Sequence, residues 1–529
     1  MQTFFRDTIA AVATPPGIGG IAVIRISGPL AKPVLERIFE PFREEMPAFA
    51  PVRTNEMAAR SAFAFRPRHM HYGFARGESG ERLDTVLALY MPGPHSFTGE
   101  DVGEIHCHGG TGIAAAILEE IYSLGARQAE PGEFTRRAFL NGRIDLTQAE
   151  AIAEMISAPT KQGARLAAAK LDGTFSREVG RIRTSLDALR VQVILAVDFP
   201  DEDAELLNRE GFSRTLEEAL CSIVSLLQAY ERAKLWREGA LAVLAGPVNA
   251  GKSSLLNALL GRERAIVSPI PGTTRDYIEE TVNLDGIPLR LVDTAGLREG
   301  GDLVEEEGIR RSWSLADEAD LVIFVHDATC ELQPAEKAFL EKQKGRCTRG
   351  QLLLVLNKAE ALASDSSGAH SPVTESEDTR QCTADSVHSP NASRRPSLDE
   401  IIASPDLVAS SIMRDEFLSS WPCHAVSARN GAGLDRLAGA IRKALLSLSI
   451  GQGDAYAGGD VAPNLRQSQL LRLARGEMTA LSEALSEGHP ADILGVHLDA
   501  TMELLAEVTG SSDNEELLNR IFSEFCIGK

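Results

Sequence analysis

The sequence predicts a multidomain protein of α/β and α-helical domains, in which an α/β domain is inserted between two helical segments. The chain has 529 residues, more than one ordinary hydrophobic core organises. Strand and helix signals alternate between about residues 234 and 448, as in a doubly wound domain. Apolar stripes of helical spacing lie on both sides of this segment, and the simplest architecture packs those two helical segments together.

The composition is that of a globular protein, with 43% hydrophobic and 24% charged residues. No apolar run is as long as a membrane span, and the first residues lack the layout of a signal peptide, so we expect a cytoplasmic protein. The seven cysteines show no pairing pattern and are expected to be free thiols. A net charge of -21 argues against a protein whose whole surface binds nucleic acid, although it allows a local basic patch.

The first segment, residues 1–141, is expected to mix strands with turns, and residues 21–27 and 83–91 have the composition of strands. The pattern becomes helical over residues 142–233 and again over 449–529. Three apolar stripes carry this prediction: Leu171, Phe175, Val179, Ile182, Leu186, Leu189 and Val193; Leu470, Ala474, Met478, Leu481 and Leu485; Leu494, Leu498, Met502, Leu505 and Val508.

One segment of the α/β domain lacks an apolar pattern. Residues 364–404 are rich in Ser, Asp, Thr and Glu, which predicts a solvated, disordered insertion that we extend to residue 412. Its deletion is therefore expected to leave catalysis nearly intact.

The sequence GPVNAGKS at residues 246–253 has the spacing of a phosphate-binding P-loop, and it joins a predicted strand to a predicted helix. Glycines let backbone N–H groups surround phosphates, and the helix N-terminus adds positive potential. In such loops the lysine, here Lys252, reaches the β- and γ-phosphates, and the serine, here Ser253, coordinates Mg²⁺.

Four further motifs follow in the order found in small GTPases. The switch sequence GTTRD at 272–276 carries Thr274, expected to bind Mg²⁺, and DTAG at 293–296 follows a strand. NKAE at 357–360 and SAR at 427–429 occupy the positions that recognise the base. The predicted nucleotide contacts are Asn249, Ala250, Gly251, Lys252, Ser253, Ser254, Ser268, Pro269, Ile270, Pro271, Gly272, Thr273, Thr274, Asp293, Thr294, Ala295, Gly296, Asn357, Lys358, Glu360, Ser427, Ala428 and Arg429.

Two residues depart from the usual GTPase pattern. The base-recognition motif ends in Glu360, whereas aspartate is usual. The side chain whose carboxylate would accept hydrogen bonds from guanine is therefore one methylene longer. An ATPase is the alternative, but glutamate fits adenine no better, and GTP remains the expected nucleotide. Leu297 stands where many relatives place the glutamine that orients the attacking water, so another group must do this.

The chain resembles, along nearly its whole length, the family of tRNA modification GTPases called MnmE or TrmE. The resemblance rests on DTIAAVATPPGIGGIAVIRISG, PHSFTGEDVGEIHCHGG, PGEFTRRAFLNGRIDLTQAEAI, GPVNAGKSSLLNALLGRERAIVSPIPGTTRD, DTAGLRE and the terminal FCIGK. It does not extend to residues 364–412.

The resemblance implies three domains: an N-terminal α+β folate-binding and dimerisation domain (1–141), a discontinuous helical domain (142–233 and 449–529) and an inserted Ras-like G domain (234–448). It implies a homodimer whose G domains associate with GTP and K⁺, and a heterotetramer with an FAD-dependent partner of the MnmG/GidA family. Together they would modify carbon 5 of the wobble uridine of certain tRNAs to aminomethyl or carboxymethylaminomethyl forms. A formyl- or methylene-tetrahydrofolate would supply the carbon.

The same resemblance assigns roles around the nucleotide. K⁺ would be held by the side chains of Asn249, Ser268 and Thr273 and the backbone of Ile270, and it would supply the charge of an arginine finger. Catalysis would use Lys252 and Glu305, the latter positioning the attacking water. A solvated surface charge is the alternative for Glu305.

Folate-contacting positions implied by the resemblance are Arg25, Glu104, Arg143 and Lys529. Cys526 is a candidate for one-carbon chemistry, or alternatively a small buried hydrophobe. His106, Cys107 and His108 make a poor metal site, because neighbours on a strand point to opposite faces. Arg136, Arg137 and Arg143 are candidates for contact with tRNA. The competing function is a regulatory or ribosome-assembly GTPase that acts by binding a partner.

Overall fold

The computed structural model describes residues 7–42, 63–198, 208–262, 279–293, 316–363, 397–404, 421–449, 461–511, 515–523 and 525–528. The chain forms two compact units. The first contains Met1–Ile156, Ala167–Leu227 and Pro463–Lys529, and the second contains Ser157–Leu166 and Gln228–Ala462. Within the described ranges, no helix is both long enough and apolar enough to cross a membrane.

A seven-stranded sheet opens the first unit, with the strand order β3-β4-β5-β6-β2-β1-β7. Its strands are β1 (Thr8–Val12), β2 (Ile21–Ser27), β3 (Phe39–Pro41), β4 (His71–Arg76), β5 (Arg82–Met91), β6 (Val102–His108) and β7 (Ala126–Gln128). The strands predicted at 21–27 and 83–91 are confirmed as β2 and β5. Helices α1 (Ala31–Ile38) and α2 (Thr111–Ser123) bury their apolar stripes against one face of the sheet, where Leu35 and Ile117 join Ile24 and Ile105 in one core.

Helix α3 (Glu133–Leu140) comes next, before the segment predicted to be helical. That segment then forms the helices α4 (Leu146–Ser157), α5 (Lys161–Leu171), α6 (Thr174–Asp198) and α7 (Arg209–Glu238), as predicted. The first predicted stripe needs a correction. Phe175 and the members after it are buried on α6, but Leu171 is the last residue of α5. Gly173, with φ +70, separates the two helices, because a left-handed residue ends helical continuity.

A six-stranded sheet forms the centre of the second unit, in the order β13-β12-β11-β8-β10-β9. Its strands are β8 (Ala240–Ala245), β9 (Glu279–Leu284), β10 (Ile287–Asp293), β11 (Leu321–Asp327), β12 (Leu352–Asn357) and β13 (Cys423–Ala425). All neighbours are parallel except β9 and β10. Central strands are buried on both faces, as their unbroken apolar runs predict. The helices of this unit are α8 (Lys252–Arg262), α9 (Pro334–Lys342), α10 (Lys344–Thr348), α11 (Leu398–Ala403) and α12 (Leu434–Ser449).

Helix α11 corrects the prediction of a structureless insertion. Ser397 caps this helix and accepts a hydrogen bond from the backbone N of Glu400. Ile401 is fully buried and joins the core beneath β11, β12 and β13. The end of the predicted insertion is therefore an integral part of the second unit, whereas residues 364–396 and 405–412 lie outside the described ranges.

The chain returns to the first unit with α13 (Leu465–Glu487), α14 (Ala491–Thr509) and α15 (Glu515–Ser523). Both remaining stripes are confirmed, because every predicted member is buried on α13 or α14. Asn464 and Gln467 form a reciprocal capping box that starts α13 where the chain re-enters this unit. The boundaries proposed for three separate domains stay a prediction.

We expect residues 364–396 to be replaceable by a short Gly-Ser linker with nucleotide hydrolysis retained within about twofold, since no predicted nucleotide contact lies in that range. GTPase rates of the two proteins measure this, and a large loss would contradict it.

Truncating the buried side chain of α11 (Ile401→Ala) should instead lower the free energy of unfolding by about 2–4 kcal/mol, because it leaves a cavity. Ile402→Ala, the same change on a half-buried neighbour, is the matched control. Equal losses in chemical denaturation of both variants would contradict this packing role.

Candidate nucleotide site and N-terminal cluster

The P-loop leaves the carboxyl end of β8 and enters α8 at Lys252. Gly246 has φ +135 and Gly251 has φ +90, conformations that side chains rarely adopt. A Cβ on Gly246 would lie 2.1 Å from the carbonyl oxygen of Val325 on the neighbouring strand. Both glycines are therefore required by the close packing of the loop as well as by its backbone conformation.

Lys252 is buried inside this loop. Its Nζ donates hydrogen bonds to the carbonyl oxygens of Gly246, at 2.9 Å, and Pro247, at 2.8 Å. The ammonium thus lies inside the loop that the sequence predicts to bind phosphate. On nucleotide binding it can exchange these neutral acceptors for charged phosphate oxygens, which form stronger hydrogen bonds.

Asn357 joins the loop to the base-recognition segments. This buried residue ends β12, and its Nδ2 donates to the carbonyl oxygen of Ala250, 2.9 Å away. Its Oδ1 accepts a hydrogen bond from the backbone N of Ala428 at 3.1 Å. A single side chain therefore holds together the three segments that the sequence assigned separately to the phosphates and the base.

Glu360 lies beside these segments in a short 3-10 turn, Ala359–Ala361, that follows Lys358. Its Oε2 is buried and has no hydrogen-bond partner within the described part of the chain. A buried carboxylate oxygen without a donor is costly unless a ligand supplies one. Guanine carries two N–H donors on one edge, which suits this acceptor.

A group of side chains on and beside the N-terminal sheet, called here the N-terminal cluster and formed by Arg25, Glu104, Phe97 and Phe134, brings together two of the predicted folate contacts. Arg25 on β2 and Glu104 on β6 are register partners, and Arg25 Nε donates to Glu104 Oε1 at 2.9 Å. The guanidinium carbon of Arg25 lies 5.5 Å from the ring centroid of Phe97 and 5.8 Å from that of Phe134. The site therefore combines a cation, a carboxylate and two aromatic rings.

A third predicted folate contact, Arg143, lies against the same loop as Phe97. Its Nε donates to the carbonyl oxygen of Ser96 at 3.2 Å, and its Cγ would lie 3.1 Å from a Cβ placed on Gly99. The short segment 96–99 therefore contacts both arginines.

The C-terminal segment is attached to this part of the first unit. Ile527 forms a β-bridge with Pro131, and the carbonyl oxygen of Cys526 accepts a hydrogen bond from Gly132 N at 3.3 Å. Cys526 is exposed, so the alternative prediction that it is a small buried hydrophobe is wrong. Gly528, with φ +91, passes so close to β1 that a Cβ would lie 2.2 Å from the carbonyl oxygen of Val12.

The suggestion that Arg137 contacts tRNA is wrong. Its side chain is fully buried and forms ion pairs with Asp7, Glu100 and Glu133 at 3.0, 3.2 and 2.9 Å. Burial raises the pKa of Glu133, but hydrogen bonds from Arg127 and Arg137 outweigh it and hold that pKa below its usual value. Arg137 thus has a structural role: the three carboxylates stabilise its guanidinium, which would be very costly to bury without partners.

The three residues at the end of β6 point to alternate faces, as expected of a strand. Cys107 is buried, and burial together with the Asp84 charge raises the pKa of its thiol to about 11. His108 is exposed, and its Nδ1 lies 2.7 Å from Asp84 Oδ1. His106 instead contacts Glu104 at 3.3 Å.

Comparisons with known proteins find similarity along nearly the whole chain. A profile described as the GTP-binding protein TrmE N-terminus matches residues 8–143, and one described as the MnmE helical domain matches residues 146–526. The tRNA modification GTPase MnmE of Nitratidesulfovibrio vulgaris is 46% identical over 524 residues, which cover 99% of both chains. The chain belongs to the MnmE family of tRNA modification GTPases.

Other MnmE proteins agree. Those of Lawsonia intracellularis and Moorella thermoacetica are 39% and 38% identical, covering 99% of this chain and 100% and 99% of theirs. Among solved structures, the G domain of the T. maritima FeoB iron transporter is 22% identical with a TM-score of 0.22, covering 39% of this chain and 98% of that one. A score this low adds nothing to the MnmE assignment. As an MnmE family member the chain is a GTP hydrolase with a P-loop G domain.

Part of the predicted site lies outside the described residues. Asp293 is the last residue of β10 and only its backbone is described, while Ser253 and Ser254 begin α8 as exposed residues. The predicted contacts that fall beyond the described ranges are Ser268, Pro269, Ile270, Pro271, Gly272, Thr273, Thr274, Thr294, Ala295, Gly296, Glu305 and Lys529.

Asp327 is not among the predicted contacts, yet it ends β11 and its Oδ2 accepts a hydrogen bond at 2.6 Å from Nζ of Lys358, a predicted base contact. A signal was present, because LVIFVHD is an apolar strand that ends in a carboxylate at the ligand-binding edge of a parallel sheet.

We expect Gly251→Ala to weaken GTP binding by more than about tenfold, because left-handed strain alone costs about 1–3 kcal/mol. The added Cβ would also lie 2.2 Å from Asn357 Nδ2. Gly261→Ala, on the helix that follows the loop, has nothing within 4 Å and is the matched control. Titration of both variants with fluorescent GTP checks this, and wild-type affinity in Gly251→Ala would contradict the loop geometry.

Proposed function

We propose that this chain is a K⁺-dependent GTPase that, with an FAD-dependent partner of the MnmG/GidA family, modifies carbon 5 of the wobble uridine of certain tRNAs. The observation that carries the proposal is the match to both MnmE profiles across residues 8–143 and 146–526. The products would be aminomethyl or carboxymethylaminomethyl uridines, made with a tetrahydrofolate one-carbon donor.

The P-loop supports the nucleotide part of this proposal. Lys252 would bind the β- and γ-phosphates, and Ser253 with Thr274 would hold Mg²⁺, which offsets the charge of the phosphates. Asn249 adopts φ +63, a conformation that asparagine tolerates better than most side chains, and its side chain is exposed at the loop. It is the proposed K⁺ ligand whose side chain the structure describes.

The N-terminal cluster supports the folate part. A pterin ring presents N–H donors to a carboxylate such as Glu104, and its flat face suits contact with aromatic rings such as Phe97 and Phe134. The glutamate tail of a folate suits an arginine. Arg25 belongs to this cluster, and Arg143 contacts Ser96 next to Phe97.

An exposed apolar cluster on the N-terminal sheet supports a homodimer. Tyr72 and Leu87 are register partners on β4 and β5, and both are exposed. The exposed ring of Phe42 lies 5.3 Å from that of Tyr72. Exposed apolar clusters of this kind are typical of interaction surfaces. We further propose that the protein acts in the cytoplasm, where tRNA modification takes place.

Analysis of tRNA nucleosides in a deletion strain tests the proposal. We expect wobble-modified uridines to disappear and to return with the wild-type gene, but not with Lys252→Ala, which removes the phosphate-binding ammonium. Lys443→Ala, an exposed lysine on α12, is the control and should restore modification. Unchanged wobble uridines in the deletion strain would instead favour the regulatory or ribosome-assembly GTPase.

Hydrolysis should be about tenfold or more faster in K⁺ than in Na⁺, because the proposed cation site is sized for the larger ion, which would supply positive charge to the transition state. Asn249→Gly removes the proposed side-chain ligand and relaxes the left-handed backbone, so it should abolish the difference without disturbing the loop. Steady-state rates in the two salts measure this. Equal rates for the wild-type protein would refute the cation role.

A further inference from the structure

The carboxylate of Asp327 lies at the end of β11, beside the base-recognition segment. Its Oδ2 accepts a hydrogen bond from Lys358 Nζ at 2.6 Å. Its Oδ1 accepts two hydrogen bonds from Thr329, from the backbone N at 3.0 Å and from Oγ1 at 2.7 Å. The side chain is 15% exposed and that of Lys358 is 39% exposed, so the pair is only partly screened by water.

The backbone around Lys358 directs its side chain toward this carboxylate. Asp327 and Asn357 are register partners at the ends of the parallel strands β11 and β12. Lys358 then adopts φ +61, which is uncommon for a lysine and persists only where the surroundings determine it. The backbone N of Ala359 donates to the carbonyl oxygen of Val426, which fixes the turn on its other side.

The other end of the pair is also fixed. Ala328 N donates to the carbonyl oxygen of Asn357 at 2.9 Å, and Cys330 N donates to that of Asp327 at 3.0 Å. Burial raises the pKa of Asp327, but the contacts with Lys358 and Thr329 outweigh it and hold that pKa below its usual value. The carboxylate is therefore a charged, oriented acceptor.

A buried ion pair anchors β11 immediately before this point. His326 Nδ1 lies 2.8 Å from Glu336 Oε1, and His326 Nε2 lies 3.0 Å from the carbonyl oxygen of Cys330. Since a carboxylate and a carbonyl both accept, the ring carries a proton on each nitrogen. Burial lowers the pKa of His326, but Glu336 outweighs it and raises that pKa above its ordinary value. The strand end that presents Asp327 is thereby held rigidly.

We propose that Asp327 is a positioning residue for the nucleotide base. By holding the Lys358 ammonium, it fixes the lysine's methylene stem at the base-recognition segment, where the stem would offer an apolar surface to the flat face of a purine. This rests on the guanine site of the proposed function. The base does not change during hydrolysis, so Asp327 contributes equally to ground-state and transition-state binding.

If Asp327 positions the base, its loss should change the kinetics in a way that the loss of a merely structural link between β11 and β12 would not. Asp327→Asn, measured in the full-length chain, should raise the Kd for both GTP and GDP and the KM for GTP by about tenfold, with kcat within about twofold of wild type. Asp327→Glu, which keeps the charge, should recover most of the lost affinity. Asp320→Asn is the matched control, because Asp320 lies at the opposite end of β11 and accepts only from the backbone N of Leu241 in the described hydrogen bonds.

A double-mutant cycle tests whether Asp327 acts through the lysine. Lys358→Met keeps the stem and removes the ammonium, so Asp327→Asn should cause little further loss of affinity in that background. Additive losses, or a fall in kcat and thermal stability with KM unchanged, would overturn the proposal. Should Asp327→Asn fail to fold, wild-type affinity in Lys358→Met would overturn it equally. Nucleotide titration needs no tRNA, so a failure here is distinct from unchanged wobble uridines, which would refute the proposed function instead.

Discussion

The nucleotide site depends on the two hydrogen bonds of Asn357. Its amide donates to Ala250 in the P-loop and accepts from Ala428, although these residues are far apart in sequence. A parallel sheet brings the ends of β8, β12 and β13 to one edge, but strand pairing alone does not fix the loops that follow. A short, buried amide with one donor and one acceptor direction does so, and this is why Gly251 next to it has no room for a side chain.

Each unit contains a buried basic side chain that is paired with oriented carboxylates. Arg137 is surrounded by acidic side chains in the first unit, and His326 pairs with Glu336 in the second. In each case removing one partner would leave a buried charge uncompensated, which costs more than the pair itself contributes. The net charge of the whole chain therefore does not predict the charge of its local sites, and the basic residue Arg137 has a structural role.

The C-terminal residues pack on the N-terminal part of the first unit. Ile527 pairs with Pro131, and Gly528 passes against Val12, so the last described residues lie on the fold formed by the first 141. The backbone of Cys526 is held there by Gly132 N, while its side chain is exposed.

The sequence by itself determined the P-loop, the strand ends that carry Asp293 and Asn357, and the helical stripes, because these follow from local periodicity and glycine spacing. The tertiary structure alone decided that Arg137 is buried, that Ile401 belongs to a core, and that Lys358 is held by Asp327. Each of these depends on what another segment presents, often more than 30 residues away along the chain. A residue's type and its immediate neighbours determine its local conformation, but the packing of the whole fold determines which distant residue it contacts.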